Sequence, residues 1–322
     1  ITADVPDLQR ALGRRWPAAP PPPHVGSEGT ATEVVLATLV ELNDELRRHD
    51  PLVRADRRDA VHRMRVTTRR LRSVLATFRP LLDRGLTDSL REELQWFAGL
   101  LGGARDAEVL SRRIIRELDD QPAQQVRGPV RAFVDQELRA RYEEHHQRCV
   151  QAMTSSRYFD LVDRLDALVV HPRWSDRAES AGPDLLRARV RHNLRRLDRR
   201  VAGVKLALDD DERTHRLHDV RKAAKRARYS AEALQPTYGR DAQRLAKSMR
   251  RVQRVLGEHQ DTVVARHELR RLSDRATAAG VNGYSFGVLE RVLAQAGATA
   301  QSRLDDVWRR AARPKRRAWL QG

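Results

Sequence analysis

An all-α fold is predicted from three features of this 322-residue chain. Apolar residues recur at three- and four-residue spacings from Thr32 onward, the signature of helices with one buried side. Helix breakers punctuate that pattern at Pro51, Pro80, Gly102-Gly103, Pro122, Pro172, Gly182-Pro183, Pro236, Gly257 and Gly280. No run of alternating β-branched residues suggests a sheet.

In order, residues 1–28 read as a linker or tail. Pro17, Pro20, Pro21, Pro22 and Pro23 favour extended polyproline geometry, and Gly26 and Gly29 follow them. Periodicity then predicts helices over 31–49, 56–79, 86–101, 106–118, 126–152 and 156–169. A second series covers 183–201, 212–235, 239–256, 261–277 and 283–311, and the basic stretch 312–322 reads as a frayed tail. The first residue is Ile1 rather than Met, so the chain is expected to be a piece of a longer protein.

One motif occurs twice. His62-Arg63-Met64-Arg65-Val66-Thr67-Thr68-Arg69-Arg70-Leu71-Arg72 aligns with His218-Asp219-Val220-Arg221-Lys222-Ala223-Ala224-Lys225-Arg226-Ala227-Arg228, 156 residues later. Leu101-Gly102-Gly103-Ala104-Arg105-Asp106 aligns in turn with Leu256-Gly257-Glu258-His259-Gln260-Asp261, 155 residues later. A near-constant offset between separate motifs indicates duplication of a whole helical unit. The Leu-Gly-x-x-x-Asp pattern reads as a turn, with Gly closing one helix and Asp106 or Asp261 capping the next.

At 100° per residue, His62, Arg65, Arg69, Arg72 and Arg58 share one helix face, opposite Met64, Leu71, Leu75 and Phe78. His218, Arg221, Lys225 and Arg228 likewise oppose Val220, Ala227, Ala231 and Leu234. Ordinary solvated faces mix charge signs, because like charges at i,i+4 repel by a few tenths of a kcal/mol. Between Ala60 and Leu82, however, six arginines stand without one Asp or Glu, and across 215–231 the only acid is Asp219. Two such faces suit a dense polyanion, which arginine grips through its forked guanidinium. Arg191 and Arg195, opposite Leu186, Val190, Leu194 and Leu197, extend the candidate lining. So do Lys247 and Arg251, opposite Leu245, Met249, Val252 and Leu256, although their first-half counterparts are Glu92 and Trp96. Neighbouring cations are expected to hold the free-state pKa of His62 and His218 down.

Composition points the same way: 62 Lys+Arg against 44 Asp+Glu leave a net charge of +18, which draws phosphate-rich partners. The single cysteine, Cys149, excludes an internal disulfide framework and fits a reducing cytosol. No apolar run approaches the ~20 residues of a membrane span, so a cytoplasmic location is expected.

At these residues the chain resembles the CHAD family, the conserved-histidine α-helical domain. Both histidine helices match its His-x-x-Arg-x-x-x-(Arg/Lys)-x-x-Arg pattern, and the Leu-Gly-x-x-x-Asp segments match as well; the resemblance covers 31–311. It implies two pseudo-twofold-related four-helix bundles, 29–181 and 182–311, with a basic cleft or pore between them. It names inorganic polyphosphate as the ligand and makes His62, Arg65, Arg69, Arg72, His218, Arg221, Lys225 and Arg228 the lining. It also implies association with polyphosphate granules, and an upstream CYTH-type (triphosphate-tunnel) domain, to which Ile1 and residues 17–23 would suit a linker. No tunnel-domain motif is present.

Nucleic-acid binding is the rival reading, since phosphate backbones attract the same cations. No helix-turn-helix, zinc-finger or RNP signature stands in the sequence, and aromatics for base stacking are only 5%. A metal-dependent phosphohydrolase is less favoured. His218-Asp219 mimics the dipeptide of such enzymes, but Asp219 projects ~100° from His218 on a helix. Glu143-x-x-His146, with Cys149 one turn on, has ligand spacing but no partner motif, so a plain surface helix is the simpler reading. No nucleophile motif, phosphate loop or cofactor signature is present. The acidic run Asp209-Asp210-Asp211-Glu212 reads as capping of a helix start. A membrane-surface role for Trp308, Arg309, Arg310, Arg313, Lys315, Arg316, Arg317 and Trp319 is the weakest reading. The chain is therefore expected to be a non-catalytic, cofactor-free binding module.

Overall fold

The computed structural model describes residues 30–179 and 183–321; the proline-rich 1–28 segment lies outside them. The described residues are nearly all helical, without a named strand. The helices are α1 (Ala31–Arg54), α2 (Ala60–Thr77), α3 (Arg84–Asp119), α4 (Val130–Ala152), α5 (Ser156–Val170), α6 (Asp176–Glu179), α7 (Pro183–Val204), α8 (Asp210–Ala233), α9 (Gln235–Ala278), α10 (Tyr284–Ser302) and α11 (Leu304–Ala311).

Several helix ends follow local chemistry. Thr30 and Glu33 form a reciprocal capping box at the start of α1. Asp209 caps α8 by accepting from the Glu212 amide at 2.7 Å, and Asp210, Asp211 and Glu212 fill the positive first turn, as the acidic run predicted. At α2 the start differs from expectation. Asp59 adopts left-handed φ of 59°, so the helix begins at Ala60 rather than near 56.

The Leu-Gly-x-x-x-Asp segments are not turns. α3 runs through Gly102, Gly103 and Asp106, α9 runs through Gly257 and Asp261, and among the described residues positive φ at glycine is confined to Gly128, Gly239 and Gly280. Gly103 serves close approach instead, whereas Gly257 leaves room for an ordinary contact. A Cβ on Gly103 would lie 2.7 Å from Cγ of His145, and one on Gly257 would meet the Arg221 guanidinium at 3.5 Å. Pro51 likewise sits inside α1 rather than ending it. Gly239, with φ of 46°, does break the path at the first turn of α9, close to the start predicted at 239.

The chain divides into two compact units. One holds the chain up to Leu101 with Arg148–Pro183; the other holds Gly102–Gln147 with Asp184–Gly322. These are not the contiguous halves 29–181 and 182–311, because α3 and α4 each contribute to both units.

In the first unit, Leu39, Leu42, Met64, Leu71, Leu75, Phe97, Leu161 and Leu165 are fully buried. Asp166 of α5 ties down α1, accepting from Asn43 at 2.7 Å and from Arg47 Nε at 2.9 Å. Tyr158 donates to Asp50 at 2.6 Å and packs its ring 4.9 Å from Phe97. Burial drives the Tyr158 phenol well above its ordinary range and pushes the Cys149 thiol up to about 12.

In the second unit, one core cluster joins the two repeats. Leu110, Ile114 and Leu118 of α3 and Val130, Val134 and Leu138 of α4 pack with Ala265, Leu269 and Leu272 of α9 and Phe286, Leu289 and Leu293 of α10. Leu110 and Ala265, Ile114 and Leu269, Val134 and Leu289, and Leu138 and Leu293 all stand 155 residues apart. This four-helix core therefore buries equivalent positions of both copies against each other.

Two α3 glycines separate packing from helix propensity. Gly103→Ala should destabilise the protein by roughly 1–3 kcal/mol through overpacking against His145. Gly99→Ala, where a Cβ meets nothing within 4 Å, should stabilise it by up to about 1 kcal/mol. Urea midpoints of the two variants should therefore move in opposite directions.

Candidate functional site

The predicted apolar stripes are buried throughout. Met64, Leu75 and Phe78 are wholly covered, Leu71 nearly so, and Val220, Ala227, Ala231 and Leu234 match them on the second copy. With those sides committed to cores, His62, Arg65, Arg69 and Arg72 emerge half-buried on α2, and His218, Arg221, Lys225 and Arg228 do the same on α8. Arg58 does not join them. It precedes the left-handed Asp59, outside the helix register, with its side chain 89% exposed and 3.9 Å from the Asp59 carboxylate.

Around α8 the neighbouring helix α9 builds a polar shelf. His218 Nδ1 lies 3.2 Å from Gln260 Oε1, Arg221 stands 3.9 Å from Asp261, and the Arg221 guanidinium passes beside Gly257. Burial lowers the His218 pKa, and Lys222, Arg221 and Lys225 lower it further, while Gln260 partly opposes them. Asp261 is shifted the other way: burial raises its pKa, against the pull of Arg221, Arg113 and Lys225, with Asp106 adding to the rise. The two motif aspartates are thus electrostatically coupled rather than helix caps.

The last cation of each motif is held by the protein itself. Arg72 donates to Gln95 at 2.8 Å, whereas Arg228 sits 3.5 Å from Glu232 and over the Tyr229 ring. Acids on adjacent helices, invisible in the spacing within one helix, also temper the charge: Glu45 receives both Thr67 and Arg70. Asp219 pairs with Arg200 at 2.9 Å.

The four outlying candidates divide. Arg191 donates to the Leu320 carbonyl at 2.7 Å, so it anchors the C-terminal segment instead of presenting a free guanidinium. Arg195, Lys247 and Arg251 are exposed and make no hydrogen bond or ion pair among the described residues. The C-terminal segment itself is docked rather than frayed. Arg317 bonds both carboxylate oxygens of Asp198, Arg316 donates to Ser248 at 3.0 Å, the Trp319 ring packs at a tilt 5.1 Å from Tyr238, and Leu320 is buried.

Glu143 is exposed, His146 stacks on Tyr142, and Cys149 is buried. No group of three or more metal-ligating side chains occurs among the described residues, and none of their helices is long and apolar enough to cross a membrane.

Gln260, Asp261 and Gly257 were missed as site residues. The signal for them was present in the repeated Leu-Gly-x-x-x-Asp pattern, but a glycine between helical stretches reads as a terminator until the partner helix is in place.

The fold and these helices define a class: an all-α protein in which a duplicated helix carries one histidine and a row of cations on its outer side. The chain belongs to the CHAD domain family, whose model matches residues 37–270. It is similar to two Mycobacterium tuberculosis proteins, uncharacterized proteins MT2285 and Rv2226, each 35% identical over 320 residues, or 97% of this chain. The chain spans 58% of the length of these curated relatives. Among solved structures it is similar to PptA from Streptomyces chartreusis, with a TM-score of 0.68 at 21% identity, covering 86% of this chain and 98% of that one. It is also similar to the CHAD domain from the plant Ricinus communis, with a TM-score of 0.67 at 24% identity, covering 92% and 96%. These two likenesses concern the fold.

The shift at His218 sets a sign for pH dependence. Its folded-state pKa lies below the ordinary 6.5, so in that interval the unfolded chain binds more protons. The contribution of His218 to stability is therefore intact above 6.5 and is lost as pH falls through the interval below it. A histidine-resolved NMR titration should place the midpoint of His218 below 6.5, and Lys222→Gln should raise it.

Proposed function

We propose that the chain is a non-catalytic binding module for inorganic polyphosphate, gripped by the histidine-bearing faces of α2 and α8. One observation carries the reading: on both helices the apolar side is fully committed to a core, which leaves a row of cations turned outward. Half-burial restricts the motion of these side chains and weakens their solvent screening, so a phosphate reaching them replaces water at less cost than on an open surface. Family membership supports the same ligand. His62, Arg65 and Arg69 on α2, with His218, Arg221 and Lys225 on α8, are the proposed contacts. Arg72 and Arg228 steady the ends of each row through Gln95 and Glu232. We place this activity in the cytoplasm, at polyphosphate granules.

Binding should weaken linearly in log–log salt plots, by roughly 0.7 per phosphate contact if the polymer behaves like a single strand. Arg65→Glu with Arg221→Glu should abolish retention on immobilised long-chain polyphosphate while circular dichroism stays unchanged. Duplex DNA should compete only at far higher phosphate concentration; equal or better competition by DNA would place the nucleic-acid reading first.

A bound polyanion should also raise the depressed pKa of His218, so binding takes up protons and tightens as pH falls from about 8 to 6. Calorimetry in buffers of different ionisation enthalpy measures that uptake directly. Its absence would remove His218 from the site.

A further inference from the structure

Away from the histidine helices, the outer face of α9 carries a second run of positive charge. Arg240, Arg244, Lys247, Arg251 and Arg254 are all exposed and fall within an arc of about 80°, along roughly 21 Å of helix. Arg240, Lys247, Arg251 and Arg254 make no hydrogen bond or ion pair among the described residues, and Arg244 reaches only the exposed Asp241 at 3.5 Å. One and two turns further along the same face stand Glu258 and Thr262. Both line a groove of about 920 Å³ whose other walls come from α3 and α10.

Three helices' worth of chemistry meet there. Arg113 enters from α3, Arg291 from α10, and Arg303 from the junction after α10, against one groove carboxylate, Glu258. Arg303 lies 3.4 Å from Glu258, and Arg113 lies 2.8 Å from Glu117, while Arg291 is exposed without an ion pair among the described residues. Gln295 and Thr299 add neutral polar groups. The floor is small, with Ala296 and Ala300, and Gly297 lets the Thr262 hydroxyl approach within 2.7 Å of where a Cβ would stand. No aromatic ring lines the groove, so nothing there would stack a nucleobase.

We propose that this groove is a second phosphate site, taking the terminal phosphates of a linear oligophosphate, and that the cationic face of α9 leads the chain to it. The proposal rests on the polyphosphate reading for the identity of the chain; the cations alone establish only that the ligand is a compact, highly charged anion. Terminal phosphates carry more charge than internal ones, which suits a groove lined by three guanidinium groups, one of them paired with the displaceable Glu258 carboxylate. Glu258 would be pushed off Arg303 as phosphate enters, so it opposes binding.

The test uses the protein with sodium tripolyphosphate, long-chain polyphosphate with free ends, and the same polymer with its ends blocked as phosphoramidates. Arg291→Gln with Arg303→Gln should weaken tripolyphosphate binding by about tenfold or more, as expected for lost charge-assisted contacts. Glu258→Gln should tighten it several-fold, a gain that structural damage would not produce. The tripolyphosphate binding that remains in the Arg65→Glu and Arg221→Glu variant should be lost when Arg291→Gln and Arg303→Gln are added. Blocking the ends should weaken long-chain binding to the unsubstituted protein but not to the groove variant. Wild-type tripolyphosphate affinity in the groove variant, or no gain with Glu258→Gln, overturns the proposal; indifference to end-blocking overturns the assignment to termini. If long-chain binding disappears in the helix-face variant while the groove variants change nothing, the polyphosphate reading stands and this one falls. If tripolyphosphate binds in the groove but long-chain polymer is not held, the outcome is reversed.

Discussion

Burial of one apolar stripe per helix is the constraint from which the rest follows. Once Met64, Leu71, Leu75 and Phe78 are sealed in the first unit, the opposite side of α2 has nowhere to point but outward. Val220, Ala227, Ala231 and Leu234 impose the same choice on α8. Like charges at helical spacing then repel, and neighbouring polar and acidic groups temper that repulsion. Glu45 takes up Arg70, Gln95 takes up Arg72, and Glu232 takes up Arg228. Such neighbours set the side-chain positions along the row.

Duplication has a further consequence in the core. Equivalent residues of the two copies, such as Ile114 with Leu269 and Leu138 with Leu293, belong to one buried cluster. Neither copy could close this cluster alone, because each supplies only two of its four helices. Long, unbroken helices make it feasible: α3 and α9 continue past the motif glycines and carry apolar residues from one packing environment into another. Gly103 matters here as an absence of side chain, allowing His145 to lie against the helix. A residue that ordinarily ends helices is used there to bring a neighbour close.

The C-terminal segment shows how one charge run divides between anchoring contacts and solvent. Arg316 and Arg317 bind Ser248 and Asp198, and Arg191 answers by holding the Leu320 carbonyl. Arg310, Arg313 and Lys315 remain exposed beside them. Arginine suits the first role because its planar fork satisfies two acceptors at low entropic cost. The same segment therefore splits into a buried clasp and a solvated rim.

Much was determined by the order of residues alone. Three-and-four periodicity set the helical class, and the 155–156-residue offset revealed the duplication. The apolar and cationic sides of the stretches bearing His62 and His218 followed from 100° per residue. Those properties are local, decided within a few turns of one helix, and so they can be read without a partner in view. Other properties belong to pairs of segments distant in sequence. Whether Gly103 ends a helix or admits His145, whether Arg191 faces an anion or a carbonyl, and which carboxylate answers Arg70 all depend on what packs alongside. The common core of residues 110–138 and 265–293 is of the same kind, since periodicity shows which side of a helix is buried and never against whom. Tertiary structure decided these points because burial and ion pairing are energies of contact, and contacts do not exist until the helices have met.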